Sequence, residues 1–320
     1  MNRFPNKLLL ATDGSEDADL AARAAIELSN RTTSELHVVH VWHDVPTPHL
    51  HSFVRAQLKQ EAEEVLQKQL ERIEQARGTV AETHLREGRT IDEILDLSEE
   101  LQVGLLIVGS RGLGGVGRIL LGSVSEGIVH HARRPVLVMR GGENAWPPSR
   151  VIVGDDSSED AREAGELAAS IGKLFGTTAL LVRAYPRLPE TDPEGRELDP
   201  RVVEDALRSE QRALEARAAE IEEASELRPR ARIAVGDPAA SLIKAAEEAA
   251  PERALIAVGS RGLDAVQRLR LGSVSTKVLR ASEGPVLVVN PGPRDRRIAH
   301  ERPSAEHLTS PVSDSNTHTA

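Results

Sequence analysis

Short runs of Leu, Val and Ile alternate along this chain with longer stretches in which apolar residues recur every three to five positions. In the first half the short runs are Lys7–Thr12, Glu35–Trp42, Thr79–Arg86, Gly104–Ser110 and Pro135–Arg140, which read as strands. Val54, Leu58, Val65, Leu70 and Ile73 form a helical stripe whose outer face is Glu, Lys and Gln. The second half repeats the stripe with Val203, Leu207, Leu214, Ala218 and Ile221. Strands alternating with helices through short connections imply βαβ units, and therefore a parallel sheet covered on both faces. The expected fold is α/β: two tandem doubly wound domains, each with a five-stranded parallel sheet.

The halves also repeat in detail. "VGSRGL" at Val108 returns at Val258, "LGSVS" at Leu121 returns at Leu271, and "PVLV" at Pro135 returns at Pro285, all offset by 150 residues. "LLLATDGSEDA" from Leu8 parallels "VIVGDDSSEDA" from Val151, which sets Asp13 opposite Asp156. The expected domains are 1–142 and 149–291, with a linker at 143–148 inside the Gly- and Pro-containing stretch "GGENAWPPSR". Residues 292–320 are polar, Pro-containing and aperiodic, and read as a disordered tail.

The first half contains Gly112-Leu-Gly114-Gly-Val-Gly117, a match to the dinucleotide fingerprint GxGxxG. The second copy has Asp264, Ala265 and Gln267 where the first has Gly114, Gly115 and Gly117, and the loop follows the fourth strand rather than the first. The match is therefore a coincidence. Both copies share G-x2-G-x9-G-S instead: Gly109, Gly112, Gly122 and Ser123, and Gly259, Gly262, Gly272 and Ser273. Gly109 and Gly259 end a strand, where a missing Cβ lets the chain turn and a ligand approach. Gly112 and Gly262 suit a positive φ. Ser123 and Ser273 are read as helix N-caps, and a helix N-terminus is an anion site. Ser125 and Ser275 in the first turn are candidate hydroxyl donors.

Composition narrows the chemistry. The 320 residues carry a net charge of −10, which disfavours nucleic acid and anionic membrane as partners. The absence of Cys removes disulfides, thiolate metal sites and thiol catalysis. Near the N-terminus only Leu8–Ala11 is apolar, too short for a signal-peptide core, and no run approaches the roughly 20 residues of a membrane helix. A cytoplasmic protein is expected.

The duplicated motif, in register with an early strand-end Asp, resembles the ATP-binding branch of the universal stress protein family over nearly all of residues 5–290. That resemblance implies strand order 3-2-1-4-5 in each domain, with ATP, alone or with Mg2+, between the ends of strands 1 and 4. By position, it puts Asp13 and Val41 on the adenine and ribose side, Ala11 on the pocket floor, and Gly109, Gly112, Gly122, Ser123, Val124 and Ser125 around the phosphates. The matching second set is Asp156, Ala184, Gly154, Gly259, Gly262, Gly272, Ser273, Val274 and Ser275. Arg111, Arg118, Arg261 and Arg268 recur in the loops and either meet phosphate or remain solvated. In the second domain Ser157 stands where the family has a turn glycine. Asp13 and Asp156 are alternatively helix caps.

In "HVVHVWHDVPTPHLH", His37 and His40 fall on opposite faces of a strand with no HExxH or carboxylate spacing, so no metal is expected. No catalytic constellation is recognisable, which favours an ATP-binding sensor or regulator acting on an unknown protein partner. A slow ATPase or phosphotransferase and a nucleotide-free interaction module are the alternatives. "PVLV" ends each domain as an apolar sheet edge, and the simplest cover is mutual pairing of the two edges within one chain, with a homodimer as the other route.

Overall fold

The computed structural model describes residues 4–43, 51–112, 121–185, 200–248, 250–260 and 271–290. The first half runs β1 (Lys7–Ala11), α1 (Glu16–Arg31), β2 (Glu35–Trp42), α2 (His51–Gln75), β3 (Glu82–Glu87), α3 (Thr90–Glu100), β4 (Leu105–Gly109), α4 (Ser123–His131) and β5 (Val136–Met139). The second repeats it: β6 (Arg150–Gly154), α5 (Glu159–Phe175), β7 (Thr178–Tyr185), α6 (Pro200–Ser225), β8 (Arg230–Val235), α7 (Pro238–Glu247), β9 (Ala254–Gly259), α8 (Ser273–Ala281) and β10 (Val286–Val289). The tail 292–320 lies outside the described residues.

All ten strands form one sheet in the order β3-β2-β1-β4-β5-β10-β9-β6-β7-β8. Each half is internally parallel with order 3-2-1-4-5, and the halves join where β5 and β10 pair antiparallel, Leu137 opposite Leu287. The pleat sends alternate residues to two apolar layers. Leu8, Leu10, Leu137, Leu287 and Val151 face α1, α2, α5 and α6; Leu9, Val136, Val286 and Ile152 face α3, α4, α7 and α8. Each layer is continuous across both halves. Small residues on α1 (Ala21, Ala24, Ala25) and α5 (Ala164, Ala168, Ala169) let those helices lie close to the sheet.

Two sequence expectations shift. The third strand begins at Glu82 rather than Thr79: α2 runs to Gln75, Gly78 N–H closes back on Ile73 O, and the chain first reaches β2 where Ala81 N–H donates to Leu36 O. The segment between the halves is no loose tether: Ala145 and Trp146 are buried, and the Trp146 ring meets Phe175 edge-on, centroids 5.2 Å apart. Arg31 of α1 stacks over the same Phe175 at 4.7 Å.

Because the central pairing buries Val136, Val138, Val286 and Val288 completely, introducing charge there must separate the halves or expose the strands. In Val136→Asp/Val286→Asp, amide hydrogen exchange at β5 and β10 is expected to rise well above that at β1 and β6. Equal protection in variant and parent would contradict the pairing.

Candidate functional site

Neighbouring strands part company at the C-terminal ends of β1 and β4. Beyond β1 the chain stays with β2, Thr12 N–H donating to Val39 O at 3.0 Å. Beyond β4 it stays with β5, Ser110 N–H donating to Met139 O at 2.7 Å. The second half does the same, with Asp155 N–H on Val182 O at 2.9 Å and Ser260 N–H on Val289 O at 2.8 Å. A crevice therefore opens at the topological switch point of each half.

Across the first crevice, the turn after β1 brings Gly14 to φ +79° and starts α1 at Ser15. Ser15 Oγ caps α1 by accepting from Ala18 N–H and donates to Arg111 O at 3.2 Å, tying that turn to the loop after β4. Asp13 is not the cap; its Oδ1 accepts from Ser15 N–H at 3.1 Å, and Asp156 does the same for Ser158 at 3.0 Å. Gly112 lies directly against the Asp13 carboxylate, where a Cβ would collide with Oδ2. Its φ is not positive, so left-handed backbone is not what glycine supplies here.

Gly109 and Gly259 pack against helix starts. A Cβ on Gly109 would stand 2.7 Å from the Asp17 backbone, and one on Gly259 2.9 Å from Ala161 N. These glycines admit the first turn of α1 and α5.

The helix after the loop has glycine at its cap. Gly122 and Gly272 are the N-caps of α4 and α8, neither end has a side-chain cap, and Ser123 and Ser273 are the first helical residues. Gly122 N–H donates to Ser110 O, and Gly272 N–H to Ser260 O, both at 2.7 Å, so the strand end holds the helix start in place. With no side-chain cap among the described residues, the first-turn amides of each helix leave the positive end of its dipole available to an anion. Ser123 and Val124 are exposed there. Ser125 and Ser275 are buried, and their hydroxyls donate to Gly109 O and Gly259 O at 2.6 Å, bracing the ends of β4 and β9.

Arg111 is partly buried. It forms a two-pronged ion pair with Asp17, Nε to Oδ2 and Nη2 to Oδ1 both at 3.1 Å. Ser110 Oγ adds a 2.6 Å bond to the same carboxylate. Asp160 receives Ser260 Oγ at 3.4 Å in the second half. The roles of Asp17, Ser110 and Ser15 were not anticipated, although "SEDA" and "GSR" recur in both halves and carried the signal. Ala11, Gly154 and Ala184 sit partly exposed at their strand ends and Val41 is buried. Arg118, Arg261, Gly262 and Arg268 lie outside the described residues.

Beneath the two crevices the chemistry differs. Thr12 Oγ1 donates to Gln69 Oε1 at 2.9 Å, and His40 Nδ1 meets Thr12 O at 2.7 Å. The equivalent second-half positions hold Asp155, Arg217 and Arg183: Arg183 Nε donates to Asp155 Oδ2 at 2.9 Å, and Arg217 Nε lies 3.6 Å from Oδ1. Burial pulls the Arg183 pKa down, but the hydrogen bond and charge of Asp155 outweigh it and hold it above its ordinary value.

A family model described as the universal stress protein family matches residues 5–140 and again 148–290. A universal stress protein of Mycolicibacterium smegmatis is 26% identical over 294 residues, covering 89% of this chain and 97% of the relative. One from Bacillus subtilis is 33% identical over 148 residues, 42% of this chain and 99% of its own length. The crystal structure of a universal stress protein from Archaeoglobus fulgidus superposes with a TM-score of 0.63 at 25% identity, covering 90% of this chain and 99% of that one.

Ser157 occupies the left-handed region at φ +70°, the place Gly14 takes in the first half. A side chain there costs about 1–2 kcal/mol, partly offset by the greater freedom glycine has when unfolded. Ser157→Gly is expected to stabilise the protein by about 0.5–1 kcal/mol in urea denaturation. A lower midpoint would mean the serine is unstrained.

Proposed function

The chain belongs to the universal stress protein family, and from that premise we propose that it binds ATP, with Mg2+ as companion ion, in each of its two crevices. One observation carries the reading: two uncapped helix N-termini, at Gly122 and Gly272, are each held by a 2.7 Å hydrogen bond beside a split pair of strands. Exposed amides at a helix start take a phosphate without needing a cationic side chain. In this reading Asp13 and Asp156, with Val41 and Ala184, face the nucleoside. Ser123, Val124, Ser273 and Val274 line the phosphate end, and Gly112 keeps its loop close to Asp13. Gly109, Gly259, Ser125 and Ser275 support the cradle from behind.

The protein then acts as a sensor or regulator in the stress response, nucleotide occupancy altering its contacts with a protein partner. We place it in the cytoplasm; no helix among the described residues is long and apolar enough to cross a membrane.

The test replaces Ser123 and Ser273 with Glu. Both positions are exposed first-turn residues, where a carboxylate favours the helix and leaves the fold intact while repelling phosphate. Calorimetric titration should give two ATP per parent chain, and the double variant should bind at least tenfold more weakly, about 1.4 kcal/mol. Equal affinity would refute the phosphate assignment. Nucleotide released from the purified parent on denaturation should be ATP; ADP alone would identify a slow hydrolase.

A further inference from the structure

At the outer edge of the sheet, β2 and β3 bring two histidines together that lie 47 residues apart in the sequence. The parallel register sets His37 beside Glu82 and Val39 beside His84, so Glu35, His37, Glu82 and His84 share one face. His37 Nδ1 and His84 Nε2 are 3.3 Å apart. Glu82 Oε2 lies 3.9 Å from the first nitrogen and 3.8 Å from the second. His37 is buried, His84 nearly so, and the Glu82 side chain is 61% exposed and free to move.

We propose that His37, His84 and Glu82 form a binding site for a divalent transition-metal ion of the zinc class. Zinc–nitrogen bonds of about 2.0–2.1 Å arranged tetrahedrally separate two ligand atoms by about 3.3–3.4 Å, and the two ring nitrogens already stand at that spacing. A shift of about half an ångström by the Glu82 carboxylate brings the third ligand to the same separation, leaving the fourth position to water.

The remainder of His37 supports the arrangement. Its Nε2 is buried with no hydrogen-bond partner, and Glu35 Oε2 lies 3.7 Å away. Ligating histidines regularly turn their second nitrogen toward a carboxylate, which fixes the ring and raises its basicity. Glu35 is placed for that role.

The second half provides an internal control. At the equivalent register Leu180 pairs with Arg230 and Val182 with Arg232, so Leu, Arg and Arg replace His37, Glu82 and His84. The same strands form there without any of these ligands. The fold therefore does not require two histidines and a carboxylate at this place, and the ion would be particular to the first half, clamping the edge strand β3 to β2.

The experiment uses the full-length protein without a histidine tag, stripped by chelator and titrated with Zn2+ and separately with Co2+. Expected are one tight equivalent per chain, tetrahedral cobalt absorption bands, and a rise in unfolding temperature with Zn2+. His84→Gln should weaken that equivalent by at least tenfold and abolish the cobalt bands. Glu82→Gln, at an exposed position that cannot compromise folding, should weaken it as well. Failure of the parent to take up either ion would overturn the proposal, as would uptake that His84→Gln and Glu82→Gln leave unchanged, since the chain has other histidines.

Discussion

The antiparallel pairing of β5 with β10 is the constraint on which the architecture rests. Val136, Leu137, Val138 and Met139 are all buried, as are Val286–Val289, so neither strand tolerates life as an edge. A strand that is apolar on both faces and carries unpaired backbone groups would recruit another chain. Pairing the two closes both at once, joins the halves into ten strands, and makes the two apolar layers continuous. The edges that remain, β3 and β8, are "ETHLRE" and "RARIAV", and each carries charged side chains that the central pair lacks. Charge is thus placed where the sheet ends and removed where it must continue.

The crevices follow from the same topology. Because each half winds outward in both directions from its first strand, β1 and β4 (and β6 and β9) lead to opposite neighbours and must diverge at their C-terminal ends. Hydrogen bonds from Thr12 to β2 and from Ser110 to β5 record that divergence. Bonds across the gap keep it from opening further: Ser15 to Arg111, and Ser110 and Arg111 to Asp17. The motif residues divide into those that hold this frame and those that face the space inside it. Gly109 and Ser125 belong to the frame, whereas Gly112, Gly122 and Ser123 border the opening.

Duplication left the two sites unequal in their support. Thr12, His40 and Gln69 hydrogen-bond beneath the first crevice with no carboxylate or guanidinium among them, while Asp155, Arg183 and Arg217 make an ionic network beneath the second. Breaking one member of the ionic set strands a charge away from water, which penalises substitution far more than loss of a neutral bond. Ser157 in left-handed backbone adds local strain only in the second half.

Strand–helix alternation, the repeat and the apolar "PVLV" edges were all legible in the order of residues, because local periodicity and internal copies survive in one dimension. From them came the fold class, the duplicated glycine motif, and the reason the two last strands should meet. What each motif residue touches was not legible. Only the folded chain sets Gly109 under the first turn of α1, turns the Ser125 hydroxyl back to Gly109 O, and closes Arg111 on Asp17. The histidines show the difference most plainly. Read along one strand, His37 and His40 point apart and suggest nothing. The register between β2 and β3 decides instead that His37 meets His84 and Glu82, since a parallel sheet juxtaposes residues by backbone hydrogen bonding across a helical crossover, a relation that spacing along the chain does not contain.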